Sequence, residues 1–209
     1  ADIVATGIEH DSGMLRFVVS GQRFEVPVAG RHFVRAALSA VAVGRWRGIS
    51  DREAAGALSS FCTDSGRCRV VHTARGTVID DSYNASPESM LAACRLLDEW
   101  SCAGRRVLVL GDMAELGEHA AACHAEVGAA VGRCGRIDEL WAAGTWAEST
   151  VEAAIEAGMA REDARAYVSV EELLETLPKC LQVGDTLLIK GSRRSRMERV
   201  VQQVRQVEC

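Results

Sequence analysis

The fold is decided by the stretch Val78-Ile79-Asp80-Asp81-Ser82-Tyr83-Asn84-Ala85-Ser86-Pro87. The two apolar residues at its start predict the end of a buried strand. Ser86-Pro87 predicts the beginning of a helix, because serine caps free helix amides and proline suits the first helical turn. In an open α/β sheet such a corner lies at the carboxyl end of a strand, where these folds bind ligands. The first candidate site residues are Asp80, Asp81, Tyr83 and Asn84.

From Arg69 to the end of the chain, apolar strands alternate with helical patterns. The predicted strands are 69–73, 77–79, 106–110, 137–142, 166–168 and 186–189, and the predicted helices are 87–99, 119–132, 146–157, 170–177 and 195–207. Capping boxes, in which a serine and a glutamate satisfy each other's free amides, predict helix starts at Ser169 and Ser195. This order is typical of an α/β domain with a doubly wound, largely parallel, Rossmann-like sheet.

The chain before residue 65 has a different pattern. Three alternating segments, 2–9, 15–20 and 23–28, predict an antiparallel meander. Two helices follow, one over 32–46 and one that opens with the capping box Ser50 to Glu53. Their predicted apolar faces are Val34, Leu38, Val41 and Ala42 in the first helix, and Ala54, Ala57, Leu58 and Phe61 in the second. The change of pattern predicts a partial α+β segment over residues 1–65 and a separate α/β domain over residues 66–209.

The composition is typical of a soluble globular protein, with 48% apolar residues and a net charge of −5. This acidic balance argues against a general nucleic-acid surface. No apolar run approaches the roughly 18 residues of a membrane span and no export signal opens the chain, so we expect no membrane insertion and a cytoplasmic location. Eight cysteines without a C-x-x-C pair predict reduced, mostly buried thiols rather than disulfides or a zinc site.

Three further segments accompany the opening stretch: Gly66-Arg67, Leu110-Gly111-Asp112-Met113-Ala114-Glu115-Leu116-Gly117 and Lys190-Gly191-Ser192-Arg193. In order and spacing, all four together resemble the C-terminal domain of the Mur ligases. The resemblance is to the branch that joins D-alanyl-D-alanine to UDP-N-acetylmuramoyl tripeptide in peptidoglycan synthesis. It implies an ATP-dependent amide ligase, with ATP and Mg²⁺ as cofactors of the complete enzyme. It also implies that residues 1–65 are the end of the family's central ATPase domain.

The resemblance implies roles for individual residues as well. It assigns Arg67, Asp81 and Lys190 to catalysis, Asp81, Tyr83 and Asn84 to the nucleotide, and Asp112, Gly191, Ser192 and Arg193 to the substrate. No residue is assigned as a metal ligand. Glu115 and His124 also match the family pattern, and a structural role is favoured for His124 because it lies on an amphipathic helix.

A physical argument supports an anion site after the last predicted strand. Four cations lie within residues 190–196, around the predicted start of the last helix, which already carries partial positive charge. Helix amides, a flexible Gly191 and arginine forks together fit a carboxylate or a phosphate. The alternative is that these side chains extend into water or pair with acids elsewhere.

The sequence departs from the family in two places. Lysine occurs only at positions 179 and 190, so the family's phosphate loop and its carbamylated lysine are absent from this sequence. The chain is therefore predicted to be a fragment that depends on the remaining N-terminal and central domains and is inactive alone. The family also has asparagine at the positions of Phe33 and Ala36, which places adenine binding by this helix in doubt. If that helix does not bind adenine, Gly30 and His32 at its start have a packing role only.

Two other functions stay open at this point. One is a folylpolyglutamate synthetase-like ligase, although Asp-Ser-Tyr-Asn-Ala-Ser-Pro fits the dipeptide-adding branch better. The other is a stand-alone, non-catalytic α/β binding module, which the absent phosphate loop favours and the set Arg67, Asp81, Asp112 and Lys190 opposes. A dinucleotide-dependent oxidoreductase is disfavoured because no G-x-G-x-x-G follows a predicted strand.

Overall fold

The computed structural model describes residues 3–11 and 13–206. The chain forms two compact units. Unit 1 comprises residues 1–64 with 68–70, and unit 2 comprises residues 65–67 with 71–209. Each unit has a sheet of its own. The assignment of residues 1–65 to an ATPase domain stays a prediction.

Unit 1 is a three-stranded antiparallel meander with two helices, as predicted. Its elements are β1 (Thr6–Asp11), β2 (Met14–Val19), β3 (Gln22–Val26), α1 (Phe33–Trp46) and α2 (Asp51–Ser59). Because side chains alternate along a strand, one face of β2 is buried and packs against the buried stripe of α1. The centre of this core is Leu15, Phe17, Phe24, Val34 and Val41.

The predicted apolar faces of the two helices are partly wrong. The buried stripe of α1 is Val34, Ala37, Val41 and Gly44. Ala42 is exposed because each residue turns the helix by roughly 100°, which carries it off the stripe that Val41 occupies. In α2, capped as predicted by Ser50 and Glu53, no residue is buried. Phe61 is 45% exposed because α2 ends at Ser59, so the helical spacing does not extend to it.

Unit 2 is an α/β domain, as predicted. Its elements are β4 (Arg69–Thr73), β5 (Gly76–Asp81), α3 (Pro87–Glu99), β6 (Arg106–Gly111), α4 (Ala120–Arg133), β7 (Glu139–Ala143), α5 (Ala147–Glu156), β8 (Ala164–Tyr167), α6 (Val170–Cys180), β9 (Asp185–Lys190) and α7 (Glu198–Gln206). Ser86 caps α3 and Pro87 occupies its first turn, so the opening corner is confirmed.

The sheet of unit 2 has six strands in the order β4-β5-β9-β6-β7-β8. The pairs β5–β9, β9–β6, β6–β7 and β7–β8 are all parallel, which confirms the largely parallel sheet. Helices cover both faces. Val107 and Val109 of β6 pack in the core that α6 and α7 complete, and the alternate residues Leu108 and Leu110 lie on the other face, where α3 contacts β6. Strand β9 is therefore buried along its whole length.

Two predicted capping boxes differ from the structure. The one at Ser195 is wrong: residues 193–195 form a 3₁₀ turn, and α7 begins only at Glu198. The Ser195 hydroxyl instead donates to the carbonyl of Asp112 at 2.8 Å. At α6, Ser169 does accept from the Glu172 N–H, but the Glu172 carboxylate accepts from the N–H of Val168.

The cysteines are reduced, as predicted, over the part of the chain that the structure describes. Seven of them form no disulfide there: Cys62, Cys68, Cys94, Cys102, Cys123, Cys134 and Cys180. Burial raises the pKa of the Cys94 thiol to about 12, which leaves it protonated and inert at neutral pH. Cys62 is exposed, contrary to the expectation of burial, and Cys209 lies outside the described residues. No helix in the described ranges combines the length and apolar character that a membrane span needs.

Candidate functional site

An open cleft of about 520 Å³ lies at the carboxyl edge of the six-stranded sheet. Three loops form it, and they follow β5, β6 and β9, which are neighbours in the sheet. The lining residues are Tyr83, Asn84, Ala85, Ser86, Ala114, Glu115, Leu116, Ser192, Arg193 and Arg194. The loops converge because parallel strands all end at the same edge.

Lys190 and Asp81 form an ion pair beside this cleft. Their strands are paired in register, so the two residues stand opposite each other at the ends of β9 and β5. Lys190 Nζ lies 2.6 Å from Asp81 Oδ2 and 2.9 Å from the carbonyl oxygen of Asn84. The lysine side chain is only 3% exposed. Its charge is therefore neutralised locally, and it also fixes the backbone of a residue that lines the cleft.

This pair assigns one of the four cations of residues 190–196 to the predicted alternative, in which a cation pairs with an acid elsewhere in the chain. The ammonium of Lys190 points to Asp81, and Arg196 has a left-handed backbone with φ of +53° ahead of α7. Arg193 and Arg194 are exposed and line the cleft. The cationic character of the cleft therefore comes from these two arginines, and the start of α7 lies further along the chain.

Arg67 and Arg193 both lie over the ring of Tyr83. The guanidinium carbon of Arg67 lies 4.1 Å from the ring centroid, and that of Arg193 lies 5.8 Å from it. Cations are attracted to the face of an aromatic ring at such distances. Tyr83 is 44% exposed, so the arrangement is a surface wall of the cleft rather than a core contact. It brings together three residues that the sequence assigned to the site.

Asp80, one of the first candidate site residues, makes structural contacts. Its carboxylate is 3% exposed and accepts from the N–H of Gly66 at 2.9 Å and from the Ser65 hydroxyl at 3.2 Å. Its other oxygen accepts from the hydroxyl of Ser82 at 2.6 Å. The N–H of Tyr83 donates back to the Gly66 carbonyl at 3.0 Å. Asp80 therefore ties the segment that carries Arg67 to the end of β5.

The contacts of Asp112 differ from those expected of a residue that binds substrate. Its carboxylate accepts from the N–H groups of Thr145 at 2.9 Å and Trp146 at 3.1 Å, just before α5. Its carbonyl accepts from the Ser192 N–H at 2.9 Å and from the Ser195 hydroxyl. Asp112 is not among the residues that line the cleft. The structure thus gives it a structural role, and contact with substrate stays an untested prediction.

Two glycines let the ends of β6 and β9 approach each other above Met197. A Cβ on Gly111 would lie 2.8 Å from Met197 Cγ, and a Cβ on Gly191 would lie 2.6 Å from the same atom. Met197 itself is fully buried. A side chain at either position would force Met197 to move, and at Gly111 it would also lie 2.8 Å from Ser195 Cβ, so glycine fits both loops without rearrangement.

The sequence comparison decides the family. Residues 66–193 match the family described as Mur ligase, glutamate ligase domain. The chain belongs to the Mur ligase family.

Individual Mur ligases resemble the whole chain. The UDP-N-acetylmuramoyl-tripeptide--D-alanyl-D-alanine ligase of Bacillus subtilis (strain 168) is 33% identical over 188 residues, which cover 88% of this chain and 41% of that relative. The Escherichia coli (strain K12) protein of the same name is 34% identical over 206 residues, covering 96% and 44%. A crystal structure of MurF from Acinetobacter baumannii matches with a TM-score of 0.88 and 28% identity, covering 98% and 45%. The chain thus spans less than half the length of these relatives.

His124 is the family-pattern residue with the most complete set of contacts. The ring is buried on α4, and its Nε2 accepts from the Met113 N–H at 2.9 Å. Its Nδ1 lies 2.7 Å from the carbonyl of Ala120, and since a carbonyl only accepts, Nδ1 carries the proton. The ring stacks on Trp146 at a centroid distance of 5.8 Å. The favoured structural role is thus consistent with its surroundings.

Some contacts of this Mur ligase domain were missed from the sequence. Ser65 has no role in the sequence analysis and Ser195 is predicted as a helix cap, yet their hydroxyls donate to Asp80 and to the Asp112 carbonyl. Arg194 is not among the predicted substrate-binding residues, although it lines the cleft. The available signal for Arg194 was its place beside Arg193 directly after a strand end. In unit 1, Gly30 has φ of +111° and donates to His10 Nε2 at 2.9 Å, which supports the packing role for Gly30.

Proposed function

We propose that this chain is part of a UDP-N-acetylmuramoyl-tripeptide:D-alanyl-D-alanine ligase, an ATP-dependent enzyme of peptidoglycan precursor synthesis. The observation that carries the proposal is the arginine-lined cleft at the carboxyl edge of a Mur ligase domain. The names of the relatives at 33% and 34% identity give the substrates. The tripeptide and ATP would be bound together with the remaining N-terminal and central domains, in the cytoplasm.

The cleft suits the incoming dipeptide because D-alanyl-D-alanine carries a terminal carboxylate. Arg193 and Arg194 offer planar forks that bind a carboxylate through two parallel hydrogen bonds. The exposed carboxylate of Glu115 lies in the same cleft and offers a counter-charge to the dipeptide ammonium. Binding both ends of the dipeptide would orient its amine toward the activated carboxyl group. Such orientation accelerates ligation because the entropy of bringing the two reacting groups together is lost on binding, before the reaction.

In the complete enzyme, ATP would supply the phosphoryl group that activates the tripeptide carboxylate, and the dipeptide amine, once its ammonium has lost a proton, would displace phosphate to form the amide. On this chain, the Tyr83 ring with Arg67 fits a nucleotide, because a base or phosphate can contact an aromatic face or a guanidinium. Asn84 lies next to this pair in the cleft. Among the described residues, no cluster of three or more His, Cys, Asp or Glu could hold a metal ion. We therefore assign no Mg²⁺ ligand here.

Asp81 and Lys190, expected to be catalytic, are proposed to act by positioning. Their ion pair is nearly buried and neither residue lines the cleft. Lys190 fixes the Asn84 carbonyl, and Asp81 fixes Lys190. The expected consequence is that substitutions here change the affinity of the cleft by moving the loop after β5.

Dipeptide binding by the 209-residue chain tests the proposal directly. We expect D-alanyl-D-alanine to shift the amide NMR signals of residues 84–86, 114–116 and 192–194, and L-alanyl-L-alanine to bind more weakly. Glutamate is the decisive competitor, since a folylpolyglutamate synthetase-like ligase would bind it in preference. Preference for glutamate, or no binding of any of the three, would overturn the proposal.

Ligation can be tested with a chimera. The chain is joined to the part of the Bacillus subtilis relative that precedes the matched region, and ATP-dependent ligation to UDP-N-acetylmuramoyl tripeptide is assayed. We expect amide formation by the chimera and none by the 209-residue chain alone, because the sequence has no phosphate loop. Ligation by the isolated chain would contradict the dependence on other domains. A folded chimera that binds the dipeptide but never ligates would favour a non-catalytic module.

A further inference from the structure

His124 stands at the start of a series of contacts that reaches both sides of the cleft. Its Nε2 accepts from the N–H of Met113, the residue directly before the lining segment 114–116. The preceding carbonyl, that of Asp112, accepts from Ser192 and Ser195 in the loop after β9. One backbone segment, 112–113, therefore joins helix α4 to both loops.

The contacts at the far end are equally specific. The Ser192 N–H lies 2.9 Å from the Asp112 carbonyl oxygen, and the Ser195 hydroxyl lies 2.8 Å from the same oxygen. The two serine hydroxyls are 3.0 Å apart. Ser192 is 1% exposed, so its backbone is fixed within the protein and not by water. The next residues, Arg193 and Arg194, line the cleft.

We propose that His124 is a positioning residue of the cleft: its neutral Nε2 fixes the segment 112–113, and this segment fixes the loop that carries Arg193 and Arg194. The imidazole suits the task because both its nitrogens are used, Nδ1–H by the Ala120 carbonyl and Nε2 by the Met113 N–H. Packing on Trp146 fixes the ring plane. His124 acts through the backbone and touches no substrate.

The role goes beyond a buried side chain that only fills space. A space-filling residue would stabilise the whole domain and would not couple the amide of Met113 to that of Ser192. The inference rests on the proposed function only for its last step, the binding of D-alanyl-D-alanine in the cleft.

Two variants test the contributions of the two ring nitrogens of His124 separately. His124→Gln places an amide group where Nε2 lies and retains an acceptor for Met113. His124→Asn places its amide near Nδ1 and loses that acceptor. Hydrogen exchange of individual amides in the 209-residue chain is measured by NMR, with Leu188 in the buried strand β9 as the reference for global opening. Titration with D-alanyl-D-alanine on the same samples gives the affinity.

In the His124→Asn variant we expect the Met113 and Ser192 amides to exchange about fivefold faster relative to Leu188, the size of one net hydrogen bond. The affinity for the dipeptide should fall by a similar factor of about five. His124→Gln should restore both quantities to within about twofold of the wild type. If the asparagine variant does not fold, Ser195→Ala breaks the contacts at the far end and should weaken dipeptide binding without changing exchange at Met113.

Each other result overturns the inference. Equal acceleration at Leu188 would mean that His124 only stabilises the core. Faster exchange at Met113 alone would show that Ser192 is not coupled to it. A glutamine variant as impaired as the asparagine variant would exclude the acceptor role. If the exchange pattern is as expected but the wild-type chain does not bind the dipeptide, the positioning role stands and the proposed function fails.

Discussion

The amino and carboxyl edges of the six-stranded sheet each contain a nearly buried ion pair. The two edges differ in whether the neighbouring cations also have acidic partners within the protein. At the amino edge, Arg105 forms two hydrogen bonds to Asp185, at 3.0 and 2.7 Å, and further ones to Glu139 and the Cys180 carbonyl. The hydrogen bond to Asp185 is the main reason that the pKa of Arg105 is raised. All these partners of Arg105 are groups of the protein.

At the carboxyl edge the charges are only partly matched. Lys190 has Asp81, but Arg193 and Arg194 have no acidic partner within the described residues and face the cleft. The comparison teaches that charge at the amino edge serves stability, whereas charge at the carboxyl edge is available to a ligand. Variants at the two edges should therefore separate stability from binding.

The largest effect is expected at the amino edge. Arg105→Leu leaves Asp185, which is 2% exposed, without its guanidinium partner, and leaves Glu139 with Arg165 alone. Breaking a buried pair from one side costs about 3–5 kcal/mol in the free energy of unfolding. Urea denaturation followed by tryptophan fluorescence measures it. Arg161→Met is the matched control, because its pair with Glu152 is exposed and screened by water, so its loss should be much smaller. Equal losses in the two variants would contradict the assignment.

Lys190→Met is expected to have an intermediate effect on stability and a clear effect on binding. Asp81 is 15% exposed and can be partly rehydrated, so we expect a loss of about 2 kcal/mol in the free energy of unfolding. The Asn84 carbonyl also loses its donor, so affinity for D-alanyl-D-alanine should fall at least about tenfold. If Lys190→Met were as unstable as Arg105→Leu but bound the dipeptide as tightly as the wild type, the ion pairs at both edges would serve stability alone.

Arg193→Met should affect binding alone. Its side chain is exposed, so the free energy of unfolding should change by no more than about 0.5 kcal/mol. Dipeptide affinity should fall about tenfold, which corresponds to about 1.4 kcal/mol. Arg196→Met is the control, since Arg196 is exposed and does not line the cleft. If the two arginine variants bind equally well, the cleft is not the dipeptide site.

The smallest effect is expected at an exposed ion pair between the first turns of α6 and α7. The hydrogen bond from Arg199 lowers the pKa of Glu171, so this pair stabilises the fold at neutral pH. That contribution is lost as the pH falls below the ordinary glutamate value of about 4.3 toward the lowered pKa. Between pH 7 and pH 3, the wild type should lose slightly more stability than Glu171→Gln. An identical loss in urea denaturation would show that the pair contributes nothing.

The elements of the fold could be predicted because they depend on local periodicity and capping. Ser86-Pro87 and Ser50 with Glu53 confirm this, since each cap lies within a few residues of the amides it satisfies. The start of α7 could not be read in the same way. Ser195 and Glu198 have capping spacing, but Ser195 lies in a 3₁₀ turn followed by a left-handed Arg196, and its hydroxyl donates to the Asp112 carbonyl, 83 residues earlier.

The site residues were predictable as a group at one edge, but their separate roles were not. Asp81 and Lys190 face each other because β5 and β9 are neighbours in the sheet. The periodicity of the sequence predicts strands but does not give their order in the sheet. Asp80 and Asp112 are acids at strand ends like Asp81. Their roles differ because distant backbone, at Gly66 for Asp80 and at Thr145 for Asp112, reaches their carboxylates.

The close approach of Gly111 and Gly191 above Met197 has a consequence for how this sequence can change over generations. A Cβ at either glycine would come within 3.0 Å of Met197 Cγ, so a substitution at either position forces the methionine side chain to move. At position 111 a Cβ would also lie 2.8 Å from Ser195 Cβ, whereas at position 191 the neighbour closer than 3.0 Å is Met197. A smaller residue at 197 would therefore make room at position 191 but not at position 111. Homologous chains should show alanine or serine at 191 where residue 197 has become smaller, and should keep glycine at 111.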